Sequence, residues 1–497
     1  MRLPLSLLAP VVLAIGACDR PDDAVSPDLA NKPTSSATGF LTSQPSQVRS
    51  LVPQATLKPI LTVGDPLPGQ EANADPEQRV WAPIPDGLGA FRESEKLVLF
   101  ANHEISSSGV DGQFAYSKVS RLEIDPATLH VTAGSYAITG KDAGSLFQRL
   151  CSATFIGGPQ GFADGWFFTG EESTTGGAQG IQLAVSNDGS QVKQLPWLGR
   201  FAHENYIAVP GFADRAVLVG TDDNSPASLG STLRSELYLY VAANPAGVLA
   251  GTGHLYVFAS DEKAASGELA AGESIGGRFV EVADPGSLTA DQLQARADEL
   301  GAFKFVRLED ADYARDGGSP RIYFVDTGNN NALCNGQVCD LHGSIYRMDL
   351  NSANPTLSPR LTLLARSRGV EAGDWASPDN IAVGAHSLMV QEDPAYAGFN
   401  RPERMWNFKF REDGQLGQAR AVAELETEKF TGNICSEPAG TCWETSGVID
   451  ASPWLGEGTW LFDVQAHTLP FTYEGTSGPV EISKEGGQLL YLRLPGS

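Results

Sequence analysis

A chain of 497 residues with 41% apolar side chains can fill a sizeable core, which excludes global disorder. Its 35 basic residues face 60 acidic ones, and the resulting charge of −25 repels nucleic-acid phosphates and anionic lipid headgroups while favouring metal cations. With 54 glycines and 31 prolines the chain is turn-rich, which argues against a helical bundle and for several domains or one large β architecture.

Residues 1–17 carry one basic residue, Arg2, ahead of the apolar run Leu3 to Ile15. That run is too short to span a bilayer permanently and reads as an export signal. It ends in Ile15-Gly16-Ala17-Cys18, the pattern of a bacterial lipobox, so Cys18 is expected to be acylated and to anchor the protein. The plainer reading is an ordinary signal peptide with a chance cysteine. Residues 18–60, rich in Pro, Ser, Thr, Ala and Gln, are expected to be a flexible tether, and 61–497 the folded domain.

From about residue 95 onward, apolar strand-like runs recur between Gly, Asp, Asn and Pro turns. Each of six runs finishes on polar, mostly acidic side chains: Leu97–Phe100 into Asn102-His103-Glu104, Trp166–Phe168 into Glu171-Glu172, and Ala216–Val219 into Asp222-Asp223. The later three are Ile322–Val325 into Asp326, Ser387–Val390 into Glu392-Asp393, and Trp460–Phe462 into Asp463 and His467. Such repetition predicts an all-β fold, a six-bladed β-propeller with loop and short-helix insertions, in preference to a pair of β-sandwiches. One helix is predicted over Thr289–Leu300, where Thr289 and Gln292 form a capping box and Gly301 supplies the stop. Of the six cysteines, Cys334 with Cys339 and Cys435 with Cys442 are close enough in sequence for two local disulfides. Cys151 is left over, either buried and inert or held as a thiolate by a metal.

In a propeller, acidic strand ends converge at one mouth of the central channel, where mutual repulsion demands compensating cations. Oxygen-rich surroundings suit calcium, whereas His103, His203 and Cys151 add nitrogen and sulfur donors for a transition metal. Each of these side chains also has a plain alternative as a turn former, packed ring or solvated charge.

The segments Ala101-Asn102-His103-Glu104, Gly170-Glu171-Glu172-Ser173, Leu198-Gly199-Arg200-Phe201-Ala202-His203-Glu204 and Val219-Gly220-Thr221-Asp222-Asp223 follow one another in order. Arg307-Leu308-Glu309-Asp310, Ser377-Pro378-Asp379-Asn380, Gln391-Glu392-Asp393 and Thr459 to His467 continue the series. Together they resemble the motifs of PhoX-type alkaline phosphatases across about residues 95–470. The resemblance implies a propeller carrying ferric iron and calcium that hydrolyses phosphate monoesters. It implies that Cys151 bridges the irons, that Glu204 and Glu309 are carboxylate ligands, and that Arg307 holds the phosphate. Glu104, Glu171, Glu172, His203, Asp222, Asp223, Asp379 and Asp393 are the remaining metal candidates, with Arg149 and Lys141 as further phosphate contacts. The catalytic set is then Arg307, Glu309 and Cys151. Partners are limited to a small phosphorylated substrate and, through the lipid, a membrane. The protein is expected to be a monomer in the bacterial cell envelope.

The chain also departs from that pattern. Gly170 stands where the family usually has a cysteine before the acidic pair, and Arg149-Leu150-Cys151-Ser152-Ala153 replaces an asparagine-rich approach to the cysteine. The competing functions are a calcium-dependent lactonase or esterase on the same scaffold, and a non-catalytic, calcium-stiffened surface lipoprotein.

Overall fold

The computed structural model describes residues 39–496 except 143, 145, 227, 335–336, 370–372, 395–400, 427–428 and 431–442. The expected lipid-bearing Cys18, the side chain of Cys334, and both Cys435 and Cys442 lie outside the described residues.

The fold is all-β and propeller-like. Antiparallel sheets begin at the innermost strands Pro85–Glu93, Leu150–Ile156, His203–Ala208, Leu308–Tyr313, Pro378–Val383 and Glu444–Asp450. Each inner strand packs beside the next, and Glu444–Asp450 returns to Pro85–Glu93, closing a ring around a channel. Between the third and fourth inner strands the outer strands join. Ser274–Val282 pairs with Leu357–Arg366, merging a five-stranded and a four-stranded unit into one nine-stranded sheet.

The second strand of each unit reads as an unbroken apolar run because both of its faces are covered. In Lys96–His103, Leu97, Leu99 and Ala101 enter the core shared with the last sheet, while Val98 and Phe100 enter the core shared with the following one. There Phe100 stacks on Phe167 at 5.1 Å between ring centroids. Each such buried aromatic contributes roughly 1.5–3 kcal/mol. The cores therefore lie between sheets and hold them radially, leaving the channel to polar groups.

The predicted helix is present as Ala290–Glu299, with Thr289 as N-cap, the Thr289–Gln292 capping box formed, and Gly301 at φ 70°. The stretch expected as tether up to residue 60 is folded from residue 39. Val48–Ser50 pairs with Ala423–Leu425, and Thr56–Thr62 forms the outer strand beside Gly486–Arg493. The first is too short for a periodicity of its own and Pro59 interrupts the second, although Ile60 and Leu61 are buried in the core. Both strands borrow register from strands near the other end of the chain and so close the ring.

Candidate metal centre

The inner strands share a local device. Each begins with a β-bulge, marked by register shifts between Pro85 and Leu88, Leu150 and Ala153, His203 and Tyr206, Leu308 and Ala311, Pro378 and Ile381, and Ser446 and Val448. A bulge re-aims side chains and sharpens the local twist. Five of these bulges carry Asp86, Cys151, Glu204, Glu309 and Asp379 as the second residue of the irregular stretch. Four of the strands are entered through a residue in the left-handed region: Ile84 (φ 51°), Arg149 (50°), Arg307 (62°) and Ser377 (46°). Each costs about 1–3 kcal/mol and persists only where the surroundings enforce it.

Side chains next to these positions link neighbouring units into a polar belt. Asn205 donates to Asp310, which also accepts from the Ile381 N–H at 3.0 Å. Asn380 Oδ1 accepts from the Gly447 N–H at 2.7 Å, and Asn102 Nδ2 donates to the Cys151 and Ser152 carbonyls. Gly87 has no side chain because one would collide with this belt: a Cβ there would lie 2.5 Å from the Cys151 oxygen.

Above the belt, ligand atoms gather in three groups, each within 4.8 Å: Asp86, Glu104 and Cys151; Cys151, Glu172 and Glu204; Glu204, Glu309 and Asp379. Cys151 belongs to two groups and Glu204 to two, so the groups form one continuous chain of donors. Cys151 is a free, buried thiol that donates to Asp86 Oδ2 at 3.3 Å. Burial first, then the Asp86 and Glu204 carboxylates, push that thiol well above its ordinary range. Burial, followed by Glu309 and Asp379, does the same to the Glu204 carboxyl. Both carboxylate oxygens of Glu204 are buried without a hydrogen-bond partner among the described residues. An orphaned carboxylate in a crowd of carboxylates fits a cation.

Two arginines frame the cluster. Arg307 Nε and Nη2 hold Asp223 at 3.0 and 3.1 Å, Nη2 holds Glu309 at 3.0 Å, and Nη1 lies 3.8 Å from Asp393. Arg149 uses Nη2 for both Glu104 at 2.7 Å and Glu172 at 2.6 Å, and its side chain is 48% exposed.

The acidic strand ends divide by alternation. Glu104, Glu172, Asp223 and Asp393 meet these arginines. Their predecessors point elsewhere. Glu171 accepts from the backbone N–H groups of Gln148 and Gln179, and Asp222 accepts from Asn224 Nδ2. His203 lies outside the three groups: it packs 3.8 Å from the Phe201 ring, and burial lowers its pKa to about 3. Its Cβ would sit 2.5 Å from a Cβ at position 170, which explains why glycine stands there. His103 is likewise fully buried between the Pro83 carbonyl and Ser120. Lys141 lies apart, paired with Asp75 at 3.1 Å and Glu77 at 3.0 Å. Sequence reasoning passed over Asp86 and Glu444, the latter beside Asp393 and 3.9 Å from His467. Asp86 had a signal: Pro85-Asp86-Gly87-Leu88 parallels Pro378-Asp379-Asn380-Ile381.

Residues 183–448 match the family model for alkaline phosphatase PhoX. The chain belongs to the PhoX family. A search of curated proteins finds no match. Among solved structures, Pseudomonas fluorescens PhoX in complex with vanadate, a transition-state analogue, aligns over 92% of this chain and 98% of its own. The TM-score is 0.61 at 16% identity, which establishes a shared fold. The periplasmic gluconolactonase PpgL of Pseudomonas aeruginosa reaches a TM-score of 0.40 at 14% identity, covering 88% of this chain and 100% of its own. Trypanosoma rangeli sialidase in complex with sialic acid reaches 0.40 at 9% identity, covering 90% and 60%. Those two likenesses are too slight to bear on function, whereas the PhoX family match takes in Glu204, Glu309 and Asp379, with Asp86, Glu104, Cys151 and Glu172 lying ahead of it.

Proposed function

We propose that the protein is an exported, metal-dependent phosphomonoester hydrolase built on six blades, anchored by lipid at Cys18 and active as a monomer in the cell envelope. The observation that carries this reading is the donor chain running through Cys151 and Glu204 between two arginines. Asp86, Glu104, Cys151, Glu172 and Glu204 would hold the softer part of a metal cluster, for which ferric iron is the family's ion. Glu204, Glu309 and Asp379 offer oxygen only and suit calcium. When bound, such ions neutralise the phosphate dianion and activate a water for in-line attack.

The chain's own residues do the rest. Arg149, half-exposed with both of its contacts on one nitrogen, meets the phosphoryl oxygens as they enter. Arg307, to which the resemblance gave the phosphate, has its guanidinium engaged by Asp223 and Glu309 and is assigned here to bracing them against each other. The Thr327 hydroxyl lies 2.7 Å from Glu309 Oε1 and 2.9 Å from the Pro378 carbonyl and shares its one hydrogen between them, fixing that carboxylate toward Glu204. Lys141, held by two carboxylates, takes no part in binding.

Protein purified without chelators is expected to contain iron and calcium and to hydrolyse p-nitrophenyl phosphate, with vanadate competing against substrate. Cys151→Ser is expected to lose iron and activity together. Full activity in that variant, or a metal-free preparation that still turns over, would overturn the assignment.

A further inference from the structure

The inner strands begin at the metal cluster and end at the opposite mouth of the channel, where a second cavity of about 760 Å³ opens. This lies within the range of small-molecule sites. Phe155 and Tyr313 from the strand ends, Trp454 from the short helix Ser452–Leu455, and Arg315, Asp450 and His386 line it. The Asn205–Asp310 pair of the belt lines a smaller void that adjoins it on the side of the metal cluster.

We propose that this mouth binds a neutral sugar. Phe155 stacks on Phe91 at 4.5 Å and 15°, a rigid aromatic platform, and Trp454 adds a half-buried indole. Such faces accept the C–H side of a pyranose ring. The polar groups are arranged for hydroxyls. Arg315 lies over the Tyr313 ring at 3.9 Å and is pinned by Asp312 at 3.0 Å and by the Val383 carbonyl at 3.1 Å, so its donors are oriented in advance. Asp450 accepts the Ser452 N–H through Oδ1 alone, which leaves it acceptor capacity.

Charge narrows the ligand. Arg315 is matched by Asp312, and Arg92 by Glu95 at 3.3 Å, while Asp450 and Glu457 add negative charge. Anions are therefore disfavoured, and the guanidinium over Tyr313 blocks that ring face against an organic cation. A neutral ring bearing donors and acceptors satisfies both halves of the lining.

Tryptophan fluorescence of the metal-loaded full chain, titrated with glucose, N-acetylglucosamine or cellobiose, is expected to change saturably. A ligand of this size binds with a dissociation constant on the order of 1 mM. Trp454→Ala and the isosteric Asp450→Asn should each weaken binding about tenfold or more. Hydrolysis of p-nitrophenyl phosphate, unchanged in both, reports an intact fold, and ligand-detected NMR reads binding where the indole signal is lost. Absence of saturation with every sugar, wild-type affinity in both variants, or saturation instead by choline would overturn the proposal. The binding readout is independent of turnover, so a failed phosphatase assignment would not be mistaken for a failed sugar site.

Discussion

At the scale of single residues, the two arginines near the cluster are not equivalent. Arg307 is 13% exposed and spends its guanidinium on Asp223, Glu309 and Asp393. Its loss leaves buried carboxylates uncompensated, a situation that costs about 3–5 kcal/mol. Arg149 is half in solvent, and screening there holds its ion pairs to about 1 kcal/mol or less each. Arg149→Ala is therefore expected to raise the KM for p-nitrophenyl phosphate about tenfold, the loss of one charge-assisted contact, while barely moving the denaturation midpoint. Arg307→Ala should lower that midpoint markedly, and Arg307→Lys should recover charge without the fork that spans Asp223. Urea titration beside steady-state kinetics distinguishes the two behaviours. Equal stability losses would refute the division of roles.

At the scale of elements, the bulge at the head of each inner strand matters more than the acidic strand ends from which the sequence was read. Those ends were visible because charge following an apolar run stands out. Alternation then sent Glu172 and Asp223 toward the cluster and Glu171 and Asp222 into loop anchoring, a choice that depends on register with the inner strand. Asp86 stayed hidden because a bulge is a property of two paired strands, and a lone Pro-Asp-Gly reads equally well as a turn. The helix at Ala290–Glu299 was legible since its capping is local, whereas Val48–Ser50 was not, because Arg49 faces Glu424, 375 positions away. Gly87 tests the device directly. A methyl there would stand 2.4 Å from the Ala153 nitrogen and 2.5 Å from the Cys151 oxygen. Gly87→Ala should cost about 3 kcal/mol by overpacking and lower bound metal by displacing Cys151. Gly158→Ala, with open space around it, should stay within about 0.5 kcal/mol. Metal analysis and thermal melts read both, and an unchanged metal content in Gly87→Ala would show that the bulges do not fix the donors.

At the scale of the whole molecule, a protein of charge −25 gathers a group of buried acids at one end of a closed ring. Burial is the main cause that raises Asp86, Glu204, Glu309 and Asp379, and mutual repulsion adds to it. Asp223 is raised from 3.8 to about 6, burial outweighing the opposing pull of Arg307. An acid with a raised folded pKa holds a proton in the native state that the unfolded chain has released. The stability these groups lend the metal-free protein is therefore fullest below the unfolded carboxylate range near 4 and is lost as pH climbs through the folded values. Asp223 alone accounts for about 3 kcal/mol of that loss. Cations reverse the sign, since they bind the deprotonated donors and bind them more tightly as pH rises. Chelator-treated protein should accordingly melt at progressively lower temperature between pH 5 and pH 8. Restoring calcium and iron should raise the melting temperature most at pH 8 and least at pH 5. A metal-free protein whose melting temperature rises across that interval would mean that the buried carboxylates are already ionised and compensated by the protein itself, and the need for cations at the mouth of the channel would disappear.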